Sequence, residues 1–441
     1  MSPAPNPNAV SVIGAGLAGC EAAWALARRG VAVTLYEMKP QKYSPAHKSE
    51  NFAELVCSNS LKAARLESAA GLLKAEMRHM GSLLLSCADR CAVPAGGALA
   101  VDRDLFAALV TEKIRSHPLI TVVEGEVTGL PETGAVIVAT GPLTSEALSD
   151  AIAGKTGAQR LSFYDAAAPI VEFSSIDMTK AFFAARYGRG EDDYINCPMD
   201  KPQYERFLTA LTAAERAGLH SFDQPDKLAV YEGCMPIEVL AARGKDAIRY
   251  GPMKPVGLTD PATGRRPWAV VQLRAENRAG TLYNLVGFQT NLKFGEQKRV
   301  FSLIPGLENA VFVRYGVMHR NTFIDSPRLL DQQLRLKAEP RIRFSGQLTG
   351  VEGYIESAAS GIWAGLSLAR ELEGKAPLTL PRVTMLGALL SYITDNSVKN
   401  FQPMGSNMGI LPPTDEKIRD KQARYLALAE RAMRSLESMT F

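Results

Sequence analysis

The stretch "AVSVIGAGLAGCEAAWALARRGVAVTLYE", residues 9–37, decides the fold. Ala9 to Ile13 is a short apolar, partly β-branched run that enters a glycine turn, Gly14 to Gly19. Cys20 to Gly30 then reads as a helix ended by Gly30, and Val31 to Glu37 as a second strand. Gly14-x-Gly16-x-x-Gly19 between strand and helix is the dinucleotide fingerprint in the context it requires. Gly14 makes the tight turn, Gly16 lets backbone approach a pyrophosphate, and Gly19 allows close helix–strand packing. Glu37 ends the second strand, where an acid hydrogen-bonds a ribose hydroxyl.

The fingerprint does not distinguish NAD from FAD. Two later features favour FAD. "VIVATG" (Val136 to Gly141) is a second glycine turn at a strand end. "SGQLTGVEGYIESAASG" (Ser345 to Gly361) offers Gly346, Gly350 and Gly353 opening a helix, whose backbone N–H groups could face a flavin's electron-accepting edge. On physics alone, a glycine loop that merely packs on the sheet competes with that reading. The candidate cofactor-binding residues are Gly14, Ala15, Gly16, Leu17, Ala18, Gly19, Glu37 and Gly141, with Gly350, Val351 and Gly353 from the later turn.

Outward from this unit, residues 61–91 carry apolar residues at helical spacing, from Leu61 and Ala64 to Met77 and Met80. Asp102 to Pro118 reads as a helix and Ile120 to Val127 as a strand. Near residue 160 the texture changes, and "VEFSSI", "WAVVQL" and "TLYNLVGFQ" read as antiparallel strands. Doubly wound texture returns at Phe344 to Leu372. The charged tail reads as a helix capped by Thr414, with Asp415 and Glu416 in its first turn. The expected class is α/β: a glutathione-reductase-type FAD-binding Rossmann domain (1–160 and 326–441) with an inserted α+β domain (161–325) on the substrate side.

Bulk composition sets bounds. The chain has 441 residues, 46% hydrophobic and 22% charged, with a net charge of +4. That is globular, and any nucleic-acid footprint must be local. No run of 18 or more apolar residues and no signal-peptide core appear, so a cytoplasmic protein without a membrane span is expected. Six cysteines without C-x-x-C, and only five histidines, suggest reduced thiols and no metal site.

Cys20 beside Ala22 and Ala23, and Cys87 with Cys91 one turn apart, read as packing. Cys197, before Pro198, is uninformative. Cys57, in "HKSENFAELVCSNSLK" (His47 to Lys62), is flanked by Ser58, Asn59 and Ser60, which would keep it accessible. His47, Lys48 and Glu50 could line the same cleft. Cys234, in "VYEGCMPIEVLAARGK", sits at a Gly-flanked bend, where a thiol is exposed and its pKa lowered. On residues alone, a structural and a functional role weigh equally for each of these two. From Cys234 to Arg266 there are six bases against three acids, with Tyr250 and Trp268 nearby, and further bases at Lys293, Lys298, Arg299 and Arg314. Charge alone favours a solvated surface; bases interleaved with aromatics beside a thiol also suit a polyanion with a flipped base.

Those stretches, with "LVGFQTNLKFGEQKRVF", "GQLTGVEGYIESAASG" and "GALLSYITDNSVKNFQPMGSNMGILPP", make the chain resemble the folate- and FAD-dependent tRNA (uracil-5-)-methyltransferases, the TrmFO family, nearly end to end. The sister GidA/MnmG tRNA-uridine modifiers share the flavin fold and are typically longer. The resemblance implies bound FAD, NADH or NADPH as reductant, methylenetetrahydrofolate as carbon donor and the T-arm of tRNA as substrate. The family's two functional cysteines fall on Cys57 and Cys234. Their chemistry is nucleophilic: a thiolate adding at uracil C6 makes C5 attack a methylene, a base removes the C5 proton, and elimination frees the thiol. A methylene becomes a methyl only with a hydride, which reduced flavin supplies. The second thiol would act as acid/base or guard the flavin, with a slight lean to Cys234 as nucleophile. The alternatives are a GidA/MnmG-like wobble-uridine enzyme, a flavin disulfide oxidoreductase and a non-catalytic tRNA-binding flavoprotein.

Overall fold

The computed structural model describes residues 10–157, 161–188, 191–217, 235–399, 401–414 and 418–441. Its organising element is a six-stranded sheet in the order Arg335–Leu336, Glu339–Phe344, Val136–Val138, Val10–Ile13, Val33–Glu37, Ile120–Glu124. All pairings are parallel except that of Arg335–Leu336 with its neighbour. Val10 aligns with Val33 and Ile13 with Tyr36, so the first two strands end together at the glycine turn. The central strands are apolar on both sides because helices cover both faces. Val136, Ile137, Val138, Val12 and Leu35 are all fully buried.

The first helix, Leu17–Ala27, is built from small residues for a packing reason. It crosses the long helix Tyr354–Leu372 so closely that a Cβ on Gly361 would lie 2.1 Å from the Ala18 carbonyl oxygen. One on Gly365 would lie 2.6 Å from that of Ala22. The chain's two ends therefore meet in one core, which runs from Val10 to Ile152 and resumes from Phe323 to Leu436.

A second core, from Val171 to Ala310, belongs to the intervening segment. It lies under a six-stranded antiparallel sheet in which Tyr194–Met199, Ala269–Ala275 and Leu282–Leu285 are successive neighbours. Cys197 is buried there, while Cys20, Cys87 and Cys91 are buried in the first core. Burial pushes the Cys20 and Cys197 thiols well up, and Cys87 to about 11. These four are packing residues.

The structure corrects several boundaries. Residues 61–91 are not one helix. Ser60–Ala63 is a strand of a small antiparallel sheet, and Lys62 has φ +64°. Helices then run Ala69–His79 and Leu83–Arg90, parted at Gly81 with φ +83°. Ser68 and Ser82 cap them, a signal that apolar spacing alone hides. "VEFSSI" is strand only through Glu172, then a single tight turn, Phe173–Ser175. The tail helix spans Lys421–Glu437 and its cap is Asp420, whose carboxylate accepts the Ala423 N–H at 2.7 Å; Thr414 lies before it, and Asp415 and Glu416 fall outside the described residues. Among the described residues no helix is long and apolar enough to cross a membrane, and no cluster of His, Cys, Asp or Glu could hold a metal ion.

Candidate active site

An open cleft, with about 1120 Å³ of empty space when the solvent at its mouth is counted, lies at the carboxyl ends of the parallel strands, the usual ligand position in such sheets. Gly14, Ala15, Gly16, Leu17 and Ala18 form one wall, with Glu37 and Gly141 beside them. Gly14 has φ +98°, and a Cβ there would lie 2.8 Å from the Ala139 carbonyl oxygen. Gly19 sits behind the wall, where a Cβ would be 1.7 Å from the Gly14 oxygen. Gly16 is the N-cap of the first helix; it offers no side chain to the helix amides, and the first turn carries no acid. That helix end is left to an anion. The buried Glu37 carboxylate accepts the Ala15 N–H at 2.9 Å and the Lys39 N–H at 3.0 Å, which fixes it against the glycine turn.

Gly346, Gln347, Tyr354 and Ser357 line the cavity. Gly350, Val351 and Gly353 are not among the lining residues, and the first two are tied to the Met404 segment. The Gly350 carbonyl accepts from the Met404 N–H, Val351 bridges to Met404, and Met404 accepts from Glu352. Gly350 has φ +83°, and a Cβ there would strike the Phe401 ring at 2.4 Å. Gly353 caps the Tyr354–Leu372 helix. In that helix's first turn, Glu356 is engaged by Lys62 Nζ at 2.8 Å and by the Ser406 N–H at 2.9 Å and hydroxyl at 2.6 Å.

Cys57 is half-buried and does not itself line the cavity; its neighbour Val56 and its partner Tyr354 do. Its N–H donates to the Tyr354 hydroxyl at 2.6 Å, and the Ser58 N–H donates to the same oxygen at 3.3 Å. Burial, then the neighbouring Cys57, pushes the Tyr354 hydroxyl far up, so it stays protonated. Three arginines hold the loop from other elements. Arg103 donates to the Leu55 carbonyl at 2.9 Å and pairs with Glu276 at 2.6 Å. Arg314 donates to the Val56 carbonyl at 2.5 Å. Arg274 reaches Asn59 Oδ1 at 3.0 Å and the Ser58 hydroxyl at 2.8 Å. Asn59 is fully buried and donates to the Val101 and Ala275 carbonyls, so it anchors the loop and does not expose the thiol. Tyr354 and the arginines escape sequence reading because they lie far along the chain. Their only signal is a buried partner for a polar loop.

His47 lines the cavity, its Nδ1 2.6 Å from the Ser44 hydroxyl; burial, then Lys39, pulls its pKa down. Lys48 and Glu50 are exposed. Lys39 Nζ is turned onto the Ser49 and Asn51 carbonyls and lies 3.7 Å from Glu54. Cys234 lies outside the described residues.

The family model "Glucose inhibited division protein A" matches residues 9–376. The chain is 61% identical over 428 residues to a methylenetetrahydrofolate–tRNA-(uracil-5-)-methyltransferase TrmFO of Desulforamulus reducens, covering 97% of this chain and 96% of that one. It is 60% identical over 428 residues to the protein of the same name from Pelotomaculum thermopropionicum, with 97% of each covered. Its fold is similar to that of Aquifex aeolicus GidA in a form II crystal, with a TM-score of 0.69 at 17% identity, over 98% of this chain and 74% of that one.

Proposed function

Since the chain belongs to the TrmFO family, within the wider glucose inhibited division protein A family, we propose that it methylates C5 of the T-loop uridine of tRNA, taking the carbon from methylenetetrahydrofolate. FAD is the group that suits the cavity. The residues offer an uncapped helix end for the pyrophosphate, a turn at Gly14 with no room for a Cβ, and Glu37 for a ribose hydroxyl. Bound flavin, reduced by NADH or NADPH, supplies the hydride that turns a methylene into a methyl. Such chemistry on tRNA suits a cytoplasmic enzyme.

The chain's own residues supply the rest. One thiol of Cys57 and Cys234 adds to uracil C6, and its sulfur–carbon bond makes C5 an enolate carbon. After C5 forms its new bond, a base takes the C5 proton, and elimination breaks the sulfur–carbon bond. Tyr354 and the arginines hold Cys57 at a set position, and positioning of this kind is worth several kcal/mol of barrier.

The observation that carries this reading is that Tyr354, which lines the dinucleotide cavity, accepts the Cys57 N–H, while Arg274 of the inserted sheet holds the adjacent Ser58. The test is 5-methyluridine formation in a tRNA transcript from methylenetetrahydrofolate and NAD(P)H. Product from S-adenosylmethionine and none from the folate defeats the proposal. A T-arm RNA carrying 5-fluorouracil should form a covalent adduct, absent in whichever of Cys57→Ala and Cys234→Ala removes the attacking thiol.

A further inference from the structure

The inserted segment carries an aromatic ladder that the dinucleotide cavity does not use. Phe312, on the edge strand Phe312–Arg314, stacks on Tyr315 with 5.5 Å between centroids and 10° between planes. Tyr315 stacks on Phe294 at 5.0 Å and 16°. The inner end is anchored, since Phe312 leans on Phe301, which is fully buried. The outer end is open, with Phe294 55% exposed. The ladder is an ordered stack that ends on an exposed ring.

The surroundings say which flat ring would suit that end. Lys293 and Arg299 flank Phe294 in sequence but are engaged by Glu215 and Glu296. Lys298 is four residues on from Phe294, on the same helix face. It is exposed, and among the described residues it has no ion-pair partner. The ladder also connects to the thiol: Arg314, next to Tyr315, donates to the carbonyl of Val56, next to Cys57. A flat ring next to a phosphate, the pair that Phe294 and Lys298 offer places for, is what a nucleotide presents.

We propose that Phe294 is a stacking platform for an unpaired base of the RNA near the uridine to be methylated, with Lys298 taking an adjacent phosphate. This rests on the RNA-methyltransferase reading above. A base reaches such a site only after leaving its stack, and aromatic side chains compensate bases that have done so.

The test uses holoenzyme and a T-arm hairpin with 2-aminopurine in its loop, with binding followed by fluorescence and no turnover. Phe294→Ala should weaken binding by roughly 5- to 100-fold and abolish the stacking-induced fluorescence change. The slope of log Kd against log salt should stay as it was, and Phe294→Trp should restore both signals. Lys298→Ala should reduce that slope by about 1 and keep the fluorescence change. An unchanged thermal midpoint will show that Phe294→Ala still folds.

Unaltered RNA affinity and fluorescence in Phe294→Ala overturn the proposal. So does a raised KM for methylenetetrahydrofolate with RNA affinity intact, which gives the ladder to the pterin ring. Loss of a dimer with RNA affinity intact gives it to a second copy and overturns it too. An enzyme that binds RNA through Phe294 yet forms no 5-methyluridine contradicts the proposed function and leaves the platform standing.

Discussion

The hydroxyl of Tyr354 accepts the backbone N–H of Cys57 at 2.6 Å, joining residues 297 positions apart. Removing that oxygen leaves the Cys57 amide without this acceptor at a half-buried position, at a cost of about 1–3 kcal/mol. Tyr354→Phe should therefore lower kcat for uridine methylation by roughly 10- to 100-fold through misplacement of the loop. The purified protein should keep its flavin absorbance. Wild-type kcat in Tyr354→Phe would show that the bond does not position the thiol.

The crossing of Leu17–Ala27 with Tyr354–Leu372 leaves no space at Gly361. Gly361→Ala forces the helices apart, and overpacking of this kind costs about 1–3 kcal/mol. Since both helices border the cavity, FAD content should fall along with the thermal midpoint. Gly154→Ala is the control. It meets open space within the Glu146–Thr156 helix and should stabilise by about 0.5–1 kcal/mol.

Glu21 and Glu76 are buried carboxylates that cap other helices, at Leu83 and Leu84 and at Met385 and Leu386. Burial pushes each up to about 7 from an ordinary 4.5. Between those two pH values the folded chain keeps protons that the unfolded chain has released. The stability these two groups contribute is therefore full below about pH 4.5 and falls as pH rises towards 7, by up to about 3 kcal/mol per group. Urea midpoints across that range should show the decline, and Glu76→Gln should flatten it. Equal slopes in the two proteins would rule this account out.

Asp420 caps the C-terminal helix. Asp420→Ala should cost about 1 kcal/mol in a denaturant titration. Thr414→Ala, six residues ahead of the observed cap, should change the midpoint little. A larger loss at Thr414 would mean that the helix starts earlier than the structure has it.

The dinucleotide half is legible because its signals are local. Residues 9–37 place strand, turn, helix and acid within one short window, and each position has a steric reason. The Cys57 environment is not local. Its partners Arg103, Arg274, Arg314 and Tyr354 come from four distant segments, and none differs in sequence from a surface arginine or a core tyrosine. Periodicity failed at residues 61–91 for a different reason. Leu61 fits the helical spacing, yet Lys62 adopts φ +64° so that the chain can turn as a strand. The glycines at 350 and 353 stand out in the sequence, and the structure packs them closely, against Phe401 at one and Glu356 and Lys62 at the other.

The arginine contacts on residues 55–59 make Cys57 a gauge. Arg274 grips from one strand of the inserted sheet, Arg314 from its edge, Arg103 and Tyr354 from helices of the parallel half. Any slippage between the two sheets must be transmitted to the sulfur, much as a plumb bob registers the tilt of the frame that suspends it. The rate at which an alkylating reagent captures Cys57 is then a direct reading of how the two halves are aligned, for substitutions placed far from the thiol as well as near it.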